Sequence, residues 1–331
     1  MKKIVKNILD NKSHTVPILS FPSASLLGIT VSELISSSDM QAKGMLAIRN
    51  RCSIGASLNM MDLSVEAEAF GARIHFTDNE IPTVEEGIID DIADAYEIKI
   101  PQIGEARTSI YIEGVKKAKE LITDIPVFCG VIGPYSLAGR LFDMTELMMS
   151  CYDDPEAVHA LLSKTSDFLI EYIKAFKDAG ADGVIMAEPA AGLLSPALAE
   201  EFSAEYVKKI FEAVDSEDFI LCYHNCGDAV VRMAEVIASQ NADIYHFGNS
   251  ISLKDILPLM PRDIIVMGNV DPLLFRNGNI DDITSAVEKA YNECSRYDNF
   301  MLSSGCDIPF DSKWENLDAY FDVITRLYSK S

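Results

Sequence analysis

The feature that most constrains the fold is an alternation of short apolar runs with helical patterns, which is regular from residue 126 onward. Continuous apolar strands that alternate with amphipathic helices indicate a parallel sheet covered by helices. The apolar runs predict eight strands, centred near residues 18, 74, 128, 185, 221, 245, 266 and 301. Eight such units predict an α/β fold of the (β/α)8 TIM-barrel type.

The chain of 331 residues has the length of one α/β barrel. No low-complexity linker divides it, so we predict a single domain over residues 1–331. The first two βα units are the least regular, and we expect the barrel to be distorted there. Between Asn79 and Arg107 lies an acidic, irregular excursion, which we expect to form a lid or a cleft wall.

The charge excludes two classes of partner. With 51 acidic and 28 basic residues the formal net charge is −23, which argues against binding to a nucleic acid or to an anionic membrane. No apolar run approaches the length of a membrane span. The first residues carry lysines without a continuous apolar stretch, so we predict no signal peptide and a cytoplasmic protein.

The seven cysteines are not expected to form a disulfide framework in such a chain. Metal binding or simple burial is the better interpretation. Cys52, Cys129, Cys151, Cys222 and Cys294 lie in apolar or helical surroundings, and each is predicted to be a small buried hydrophobic residue.

Two cysteines and a histidine lie instead at predicted strand ends. His224 and Cys226 follow the apolar run that begins at Phe219, and Cys306 follows the run that begins at Phe300. The carboxyl ends of the strands of a barrel face one common site. Three soft donors with an open fourth position are typical of catalytic zinc. The sequence therefore predicts that His224, Cys226 and Cys306 bind Zn²⁺.

Other polar residues occupy the remaining strand ends, and their roles stay open. His246 could fill the fourth position on the metal or could be a hydrogen-bonded wall residue. Glu188 could be a fourth ligand, an acid that orients a ligand, a general acid or base, or a partner of the ligands. The further residues at strand ends are Asn249, Asn269, Asp271 and Asp307.

The donor set indicates the type of reaction. Two thiolates and one neutral imidazole bring the charge of Zn²⁺ to zero, so the centre would activate water poorly. It would suit a substrate thiol better, because the metal keeps the sulfur deprotonated and the electron-rich ligands leave it nucleophilic. Alkyl transfer therefore fits this donor set better than hydrolysis.

The chain resembles the uroporphyrinogen decarboxylase superfamily over nearly its whole length, and within it the zinc-dependent corrinoid methyltransferases. The subfamily signal is His224-Asn225-Cys226 together with Cys306, since this set holds zinc in those methyltransferases. The superfamily-level motifs are Met61 to Gly71, Gly133 to Gly139, Ala181 to Pro189, Leu194-Ser195-Pro196 and Gly268 to Pro272.

The resemblance implies that a thiolate attacks methyl-cobalt(III) and yields a thioether and a cobalt(I) corrinoid. The corrinoid would reside on a separate corrinoid protein, because we find no corrinoid-binding domain in this chain. A small-molecule methyl donor or thiol acceptor completes the reaction. The predicted roles are catalysis for Glu188 and Asp307 and cofactor binding at the cleft for Asp62, Tyr135, His246 and Asn269.

Two alternatives remain at this point. A lyase acting on a tetrapyrrole is disfavoured, because the true decarboxylases carry an Arg-Gln-Ala-Gly-Arg motif where this chain has Phe21-Pro22-Ser23-Ala24-Ser25. A non-catalytic barrel that binds a corrinoid is the other alternative. The sequence leaves open the direction of transfer, the identities of donor and acceptor, and whether the chain forms a homo-oligomer.

Overall fold

The computed structural model describes residues 1–329, and within them seven parallel strands form a curved sheet. In their order across the sheet, these strands are β1 (Ser57–Leu58), β4 (Val127–Ile132), β5 (Gly183–Ala187), β6 (Ile220–Asn225), β7 (Ile244–Phe247), β8 (Ile265–Val270) and β9 (Phe300–Ser304). Two more strands, β2 (Arg73–His75) and β3 (Thr83–Glu86), pair in an antiparallel hairpin. The predicted barrel is confirmed, and its N-terminal part is the irregular one.

One predicted barrel strand is wrong. The run near residue 74 forms β2, which lies in the hairpin outside the barrel, and its Arg73 and His75 are exposed. The strand that takes the predicted place in the barrel, beside β4 and on the side away from β5, is β1. It has only two residues and therefore gives no periodic signal. An alternating pattern of three residues cannot distinguish a barrel strand from a strand of a surface hairpin.

The eighth position of the barrel is filled by the extended segment 15–20, which was expected to be a regular strand. Side chains join it to β9: the Ile18 N–H donates to Ser304 Oγ at 3.0 Å, and Ser303 Oγ donates to the Val16 carbonyl at 2.8 Å. Toward β1 it makes a single parallel bridge, from Thr15 to Ile54. The segment contains Pro17, which has no N–H for a ladder bond, so side-chain hydroxyls close the seam instead.

Helices cover the outside of the sheet and the ends of the barrel. The α-helices are α1 (Lys3–Asp10), α2 (Ser23–Leu27), α3 (Val31–Ile35), α4 (Ser38–Arg51), α5 (Val65–Phe70), α6 (Thr108–Leu121), α7 (Pro134–Leu141), α8 (Met144–Asp153), α9 (Pro155–Asp178), α10 (Pro196–Ala199), α11 (Glu205–Val214), α12 (Ala234–Ala238), α13 (Leu253–Ile256), α14 (Leu273–Asn277), α15 (Ile280–Cys294) and α16 (Trp314–Tyr328). Short 3-10 turns occur at Ile92–Tyr96, Pro189–Leu193, Val230–Met233 and Leu257–Leu259, and a π-turn at Glu200–Ala204 joins α10 to α11. No helix of residues 1–329 combines the length and apolar character needed to cross a bilayer.

The longest helix, α9, illustrates how the local sequence sets the boundaries. Asp154 caps its first turn by accepting a hydrogen bond from the Ala157 N–H at 3.1 Å, and Pro155 occupies the first helical position. Gly180, at φ 98°, ends the helix because a left-handed backbone suits glycine. Its apolar face, which includes Phe168 and Phe176, is fully buried.

The lumen of the barrel is a packed core beneath the strand ends. Residues two apart on a strand point to the same face, and on β6 the side chains of Ile220 and Cys222 belong to the core inside the barrel. The same alternation brings His224 inward at the last layer, directly above the apolar layers. The core therefore forms a rigid floor on which the strand-end residues are fixed.

We predict that Ser304→Ala lowers the free energy of unfolding by about 1–3 kcal/mol, because the buried Ile18 N–H loses its acceptor. Urea unfolding measures the change. Ser109→Ala is the control, since this exposed hydroxyl makes only a 3.5 Å contact with a carbonyl, and it should change stability by less than about 0.5 kcal/mol. Equal effects of the two substitutions would contradict the role of Ser304 in closing the barrel.

Candidate metal centre

The three predicted donors come together at the mouth of the barrel. One ligand atom from each of His224, Cys226 and Cys306 lies within 4.8 Å of the other two, and Nε2 of His224 is 3.5 Å from Sγ of Cys306. His224 is buried, while the two cysteines are partly exposed. Zinc bonds of about 2.3 Å to sulfur and 2.0–2.1 Å to nitrogen in a tetrahedron require donors roughly 3.6 Å apart. The 3.5 Å between His224 Nε2 and Cys306 Sγ matches that spacing.

The two cysteine thiols shift each other's pKa in opposite directions. The pKa of Cys226 is lowered to about 4, first by its hydrogen bond with Cys306 and then by His224. The pKa of Cys306 is raised by the same hydrogen bond and by burial. One thiol of the pair is therefore easier to ionise and the other harder, and a bound cation would favour the ionised form of both. This donor chemistry matches a divalent metal such as zinc.

Close backbone packing positions Cys226. A side chain at Gly248 would place its Cβ 2.6 Å from the Cα of Cys226, so only glycine allows the two loops to touch. Within the Cys226 loop, the side chain of Asn225 accepts a hydrogen bond from the Gly227 N–H at 2.8 Å and donates to the Glu188 carbonyl at 2.9 Å. Asn225, which lies between the candidate ligands His224 and Cys226, therefore fixes the turn that carries Cys226.

Glu188 lies beneath the start of α7 and is not one of the clustered donors. Its fully buried carboxylate accepts hydrogen bonds from the N–H groups of Tyr135, at 3.0 Å, and Ser136, at 2.7 Å, and from the Ser136 hydroxyl. Burial raises the pKa of Glu188 to about 7, although these hydrogen bonds oppose the rise. Both oxygens are engaged by the helix terminus, and a catalytic role for Glu188 stays a prediction.

His246 lies behind His224, on the side away from the two sulfurs. The Nδ1 atoms of the two histidines are 2.6 Å apart, and Nε2 of His246 is 3.0 Å from Ser303 Oγ. Burial, and then the charge of His224, lowers the pKa of His246 well below its usual value. Both ring nitrogens of His246 are occupied, so the geometry favours a wall residue over a fourth donor.

Asp62 is part of a buried ion-pair network rather than an open wall of the cleft. Its Oδ2 pairs with Arg107 and accepts the Tyr111 hydroxyl at 2.9 Å, while Arg107 also binds Glu68 at 2.6 Å and lies over the ring of Phe76. The network fastens α5, α6 and the β2–β3 hairpin together. Sequence reasoning missed Arg107 as a partner, because nothing in the excursion before α6 points back to Asp62.

The remaining predicted site residues occupy different surroundings. Tyr135 is fully buried, and its hydroxyl is 3.9 Å from Cys151 Sγ. Asn269 donates to the Gly248 and Ile251 carbonyls at 2.9 and 2.8 Å, so it holds the loop after β7 and borders a cavity of about 380 Å³ beside α15. Their predicted part in cofactor binding stays a prediction.

Asp307 follows Cys306, and its Oδ1 is buried without a hydrogen-bond partner within residues 1–329. Burial raises the pKa of Asp307 well above its usual value. The Asp307 carboxylate is also one of the charges that raise the pKa of Cys306. The predicted catalytic role of Asp307 stays a prediction.

Comparison with known proteins identifies the family of this chain and supports its fold. The family model for uroporphyrinogen decarboxylase (URO-D) matches residues 18–327. The methylcobamide:CoM methyltransferase MtbA of Methanosarcina acetivorans is 27% identical over 252 residues, which are 75% of this chain and 72% of that protein. Uroporphyrinogen decarboxylase 2, chloroplastic, of Arabidopsis thaliana is 28% identical over 243 residues, which are 70% of this chain and 58% of that protein.

Among solved structures, a methyltransferase from Methanosarcina mazei matches with a TM-score of 0.84 and 22% identity, over 99% of this chain and 100% of the other. That likeness supports the barrel fold. The relatives in sequence include enzymes of two reaction types, methyl transfer and decarboxylation.

We predict that Arg107→Met destabilises the protein by about 3–5 kcal/mol, because Asp62 is left as an uncompensated buried charge. Arg49→Met is the matched control, since the Arg49–Asp124 pair is solvent-exposed on the Asp124 side and should contribute about 0–1 kcal/mol. Urea unfolding of both variants measures the difference. Similar losses would show that the Arg107 network is not a buried anchor.

A second buried acid predicts a pH dependence. Burial raises the pKa of Glu66 to about 7, and its Oε2 has no hydrogen-bond partner within the described residues. Between about pH 4.5 and 7 Glu66 therefore binds its proton more in the native state than in the unfolded state, and its contribution to stability falls as the pH rises. Glu66→Gln should make this decline shallower by up to about 1.4 kcal/mol per pH unit, measured by urea unfolding. An unchanged slope would contradict the prediction.

Proposed function

Because the chain belongs to the uroporphyrinogen decarboxylase family, we propose that it is a zinc-dependent methyltransferase of that family. The proposed reaction moves a methyl group between a methylated corrinoid, carried on a partner corrinoid protein, and a thiol or similar acceptor. The observation that carries this proposal is the cluster of His224, Cys226 and Cys306 at the barrel mouth.

In the proposed enzyme these three residues hold the metal and leave one position for a substrate. Bound zinc supplies positive charge that keeps a substrate thiol deprotonated near neutral pH. The protein supplies the donors in fixed positions. Asn225 sets the turn that carries Cys226, and the absence of a side chain at Gly248 leaves room for the Cys226 backbone. Both cysteines are partly exposed, as a site that admits a substrate thiol requires.

The proposed methyl transfer requires no general acid from this chain. The thiolate sulfur forms a bond to the methyl carbon, the methyl–cobalt bond breaks, and its electron pair stays on cobalt(I). The thiol gives its proton to solvent before this step, and no proton moves in the step itself. The position of Glu188 is consistent with this step, because both of its carboxylate oxygens already accept hydrogen bonds from the start of α7. We propose that Glu188 shapes the mouth by fixing that helix.

A tetrapyrrole decarboxylase is the second candidate, because decarboxylases are among the relatives. Such a substrate carries many carboxylates and needs a cluster of free cations. Phe21 to Ser25 contribute no arginine, and Arg107 is already paired with Asp62 and Glu68. A net charge of −23 would also repel a polycarboxylate, so the methyltransferase is the better proposal.

Metal content and activity together test the proposal. We expect about one zinc per chain in the wild type after dialysis against a mild chelator, and none in Cys306→Ala. Cys294→Ala is the matched control, because Cys294 is a buried cysteine at the end of α15 outside the donor cluster, and it should keep the metal.

The same three proteins are then assayed for demethylation of methylcobalamin with a panel of thiols. Wild type and Cys294→Ala should be active, and Cys306→Ala should fall to the uncatalysed rate. A metal-free wild type that decarboxylates a porphyrinogen would overturn the methyltransferase in favour of the second candidate. Zinc retained in full by Cys306→Ala would overturn the assigned donor set.

A further inference from the structure

We propose that His246 is a positioning residue which, with Ser303, fixes the tautomer of His224 so that the Nε2 lone pair of His224 faces the two cysteines. The inference rests on the proposed metal site. A histidine binds a metal through a nitrogen that carries no proton, and the hydrogen bond of the other nitrogen determines which nitrogen that is. Three consecutive contacts in the barrel settle the question for His224.

The first contact lies at the seam of the barrel. Ser303 Oγ is 2.8 Å from the carbonyl oxygen of Val16. A carbonyl only accepts, so the hydroxyl proton of Ser303 is directed at Val16. Toward any other neighbour Ser303 Oγ is then an acceptor. The fully buried position of Ser303 excludes competition from solvent.

The second contact fixes His246. Its Nε2 is 3.0 Å from Ser303 Oγ, which needs a donor, so Nε2 of His246 carries the proton. In a neutral imidazole the other nitrogen is then an acceptor. The Nδ1 lone pair of His246 therefore points at its neighbour. His246 is fully buried, and this arrangement leaves neither of its nitrogens free for a metal.

The third contact fixes His224. Its Nδ1 is 2.6 Å from the Nδ1 acceptor of His246 and 3.3 Å from the His246 carbonyl. Both neighbours accept, so Nδ1 of His224 carries the proton. Nε2, the nitrogen 3.5 Å from Cys306 Sγ, is thereby left with its lone pair. The register of the sheet supports this pairing, because His224 on β6 lies directly beside His246 on β7.

The chain of donors therefore runs in one direction, from His224 through His246 and Ser303 to the backbone of segment 15–20. This segment closes the barrel, so the protonation pattern of a metal ligand depends on how the barrel is closed. If His246 did not accept a hydrogen bond from Nδ1 of His224, His224 could adopt either tautomer. The metal would then have to select the productive tautomer at a cost in affinity.

The test is the zinc affinity of purified variants, measured by competition with a chromophoric chelator. His246→Leu removes the acceptor and should weaken zinc binding about 10–100-fold. His246→Asn keeps an acceptor oxygen near the former Nδ1 and should restore most of the affinity. Ser303→Ala frees the tautomer of His246 and should weaken binding measurably.

Ser304→Ala is the matched control. Ser304 is the next residue on β9, and its side chain also bonds to segment 15–20, through the Ile18 N–H and not through a histidine. It should lower stability without changing zinc affinity. Unfolding curves of the metal-free variants identify any protein that has lost its fold, and the comparison of Ser303→Ala with Ser304→Ala separates the tautomer effect from weakening of the seam.

A second readout is ¹⁵N NMR of histidine-labelled, zinc-loaded protein. We expect a proton on Nδ1 of His224 and on Nε2 of His246 in the wild type, and a mixture of His246 tautomers in Ser303→Ala. Unchanged zinc affinity in folded His246→Leu, or a proton on Nδ1 of His246, would overturn the inference. A wild type without any zinc affinity would instead overturn the proposed function and this inference with it.

Discussion

The site depends on two thiols and an imidazole that are held close together at the mouth of the barrel. Cys226 and Cys306 shift each other's pKa in opposite directions, and burial of Cys306 also opposes its ionisation. Such a pair is costly unless a cation neutralises it, and the Nε2 of His224 completes a set of donors suited to one. The strand ends, the loops and the hydrogen bonds around the site all serve to hold these three atoms at a fixed separation.

The barrel achieves this by placing rigid elements on both sides of the donors. Below them, alternating side chains of β6 fill the lumen and leave His224 as the last inward residue. Around them, the Glu188 carboxyl accepts hydrogen bonds from the start of α7, and Asp62 and Arg107 form a buried ion pair that fastens α5 to α6. In the proposed enzyme the buried acids Asp62 and Glu188 shape the mouth, while the soft donors supply its chemistry. This division is consistent with a methyl-transfer step in which no proton moves.

The sequence was sufficient for the repeating part of the fold and for the convergence of the three candidate donors, because strand alternation and the ends of parallel strands follow from local pattern. It was insufficient where a contact is made by residues distant in the chain. The two residues of β1 give no periodicity, the run near residue 74 mimics a barrel strand, and Arg107 reaches Asp62 across 45 positions. The relation of His246 to His224 likewise depends on sheet register, which no single strand encodes.

The most direct test of the central claim is X-ray absorption at the zinc edge, recorded with and without an acceptor thiol. The account predicts a shell of one nitrogen at about 2.0–2.1 Å and two sulfurs at about 2.3 Å. Addition of the thiol should add a third sulfur. A shell made only of oxygen and nitrogen, or a sulfur number that stays the same while the enzyme turns over the thiol, would contradict it.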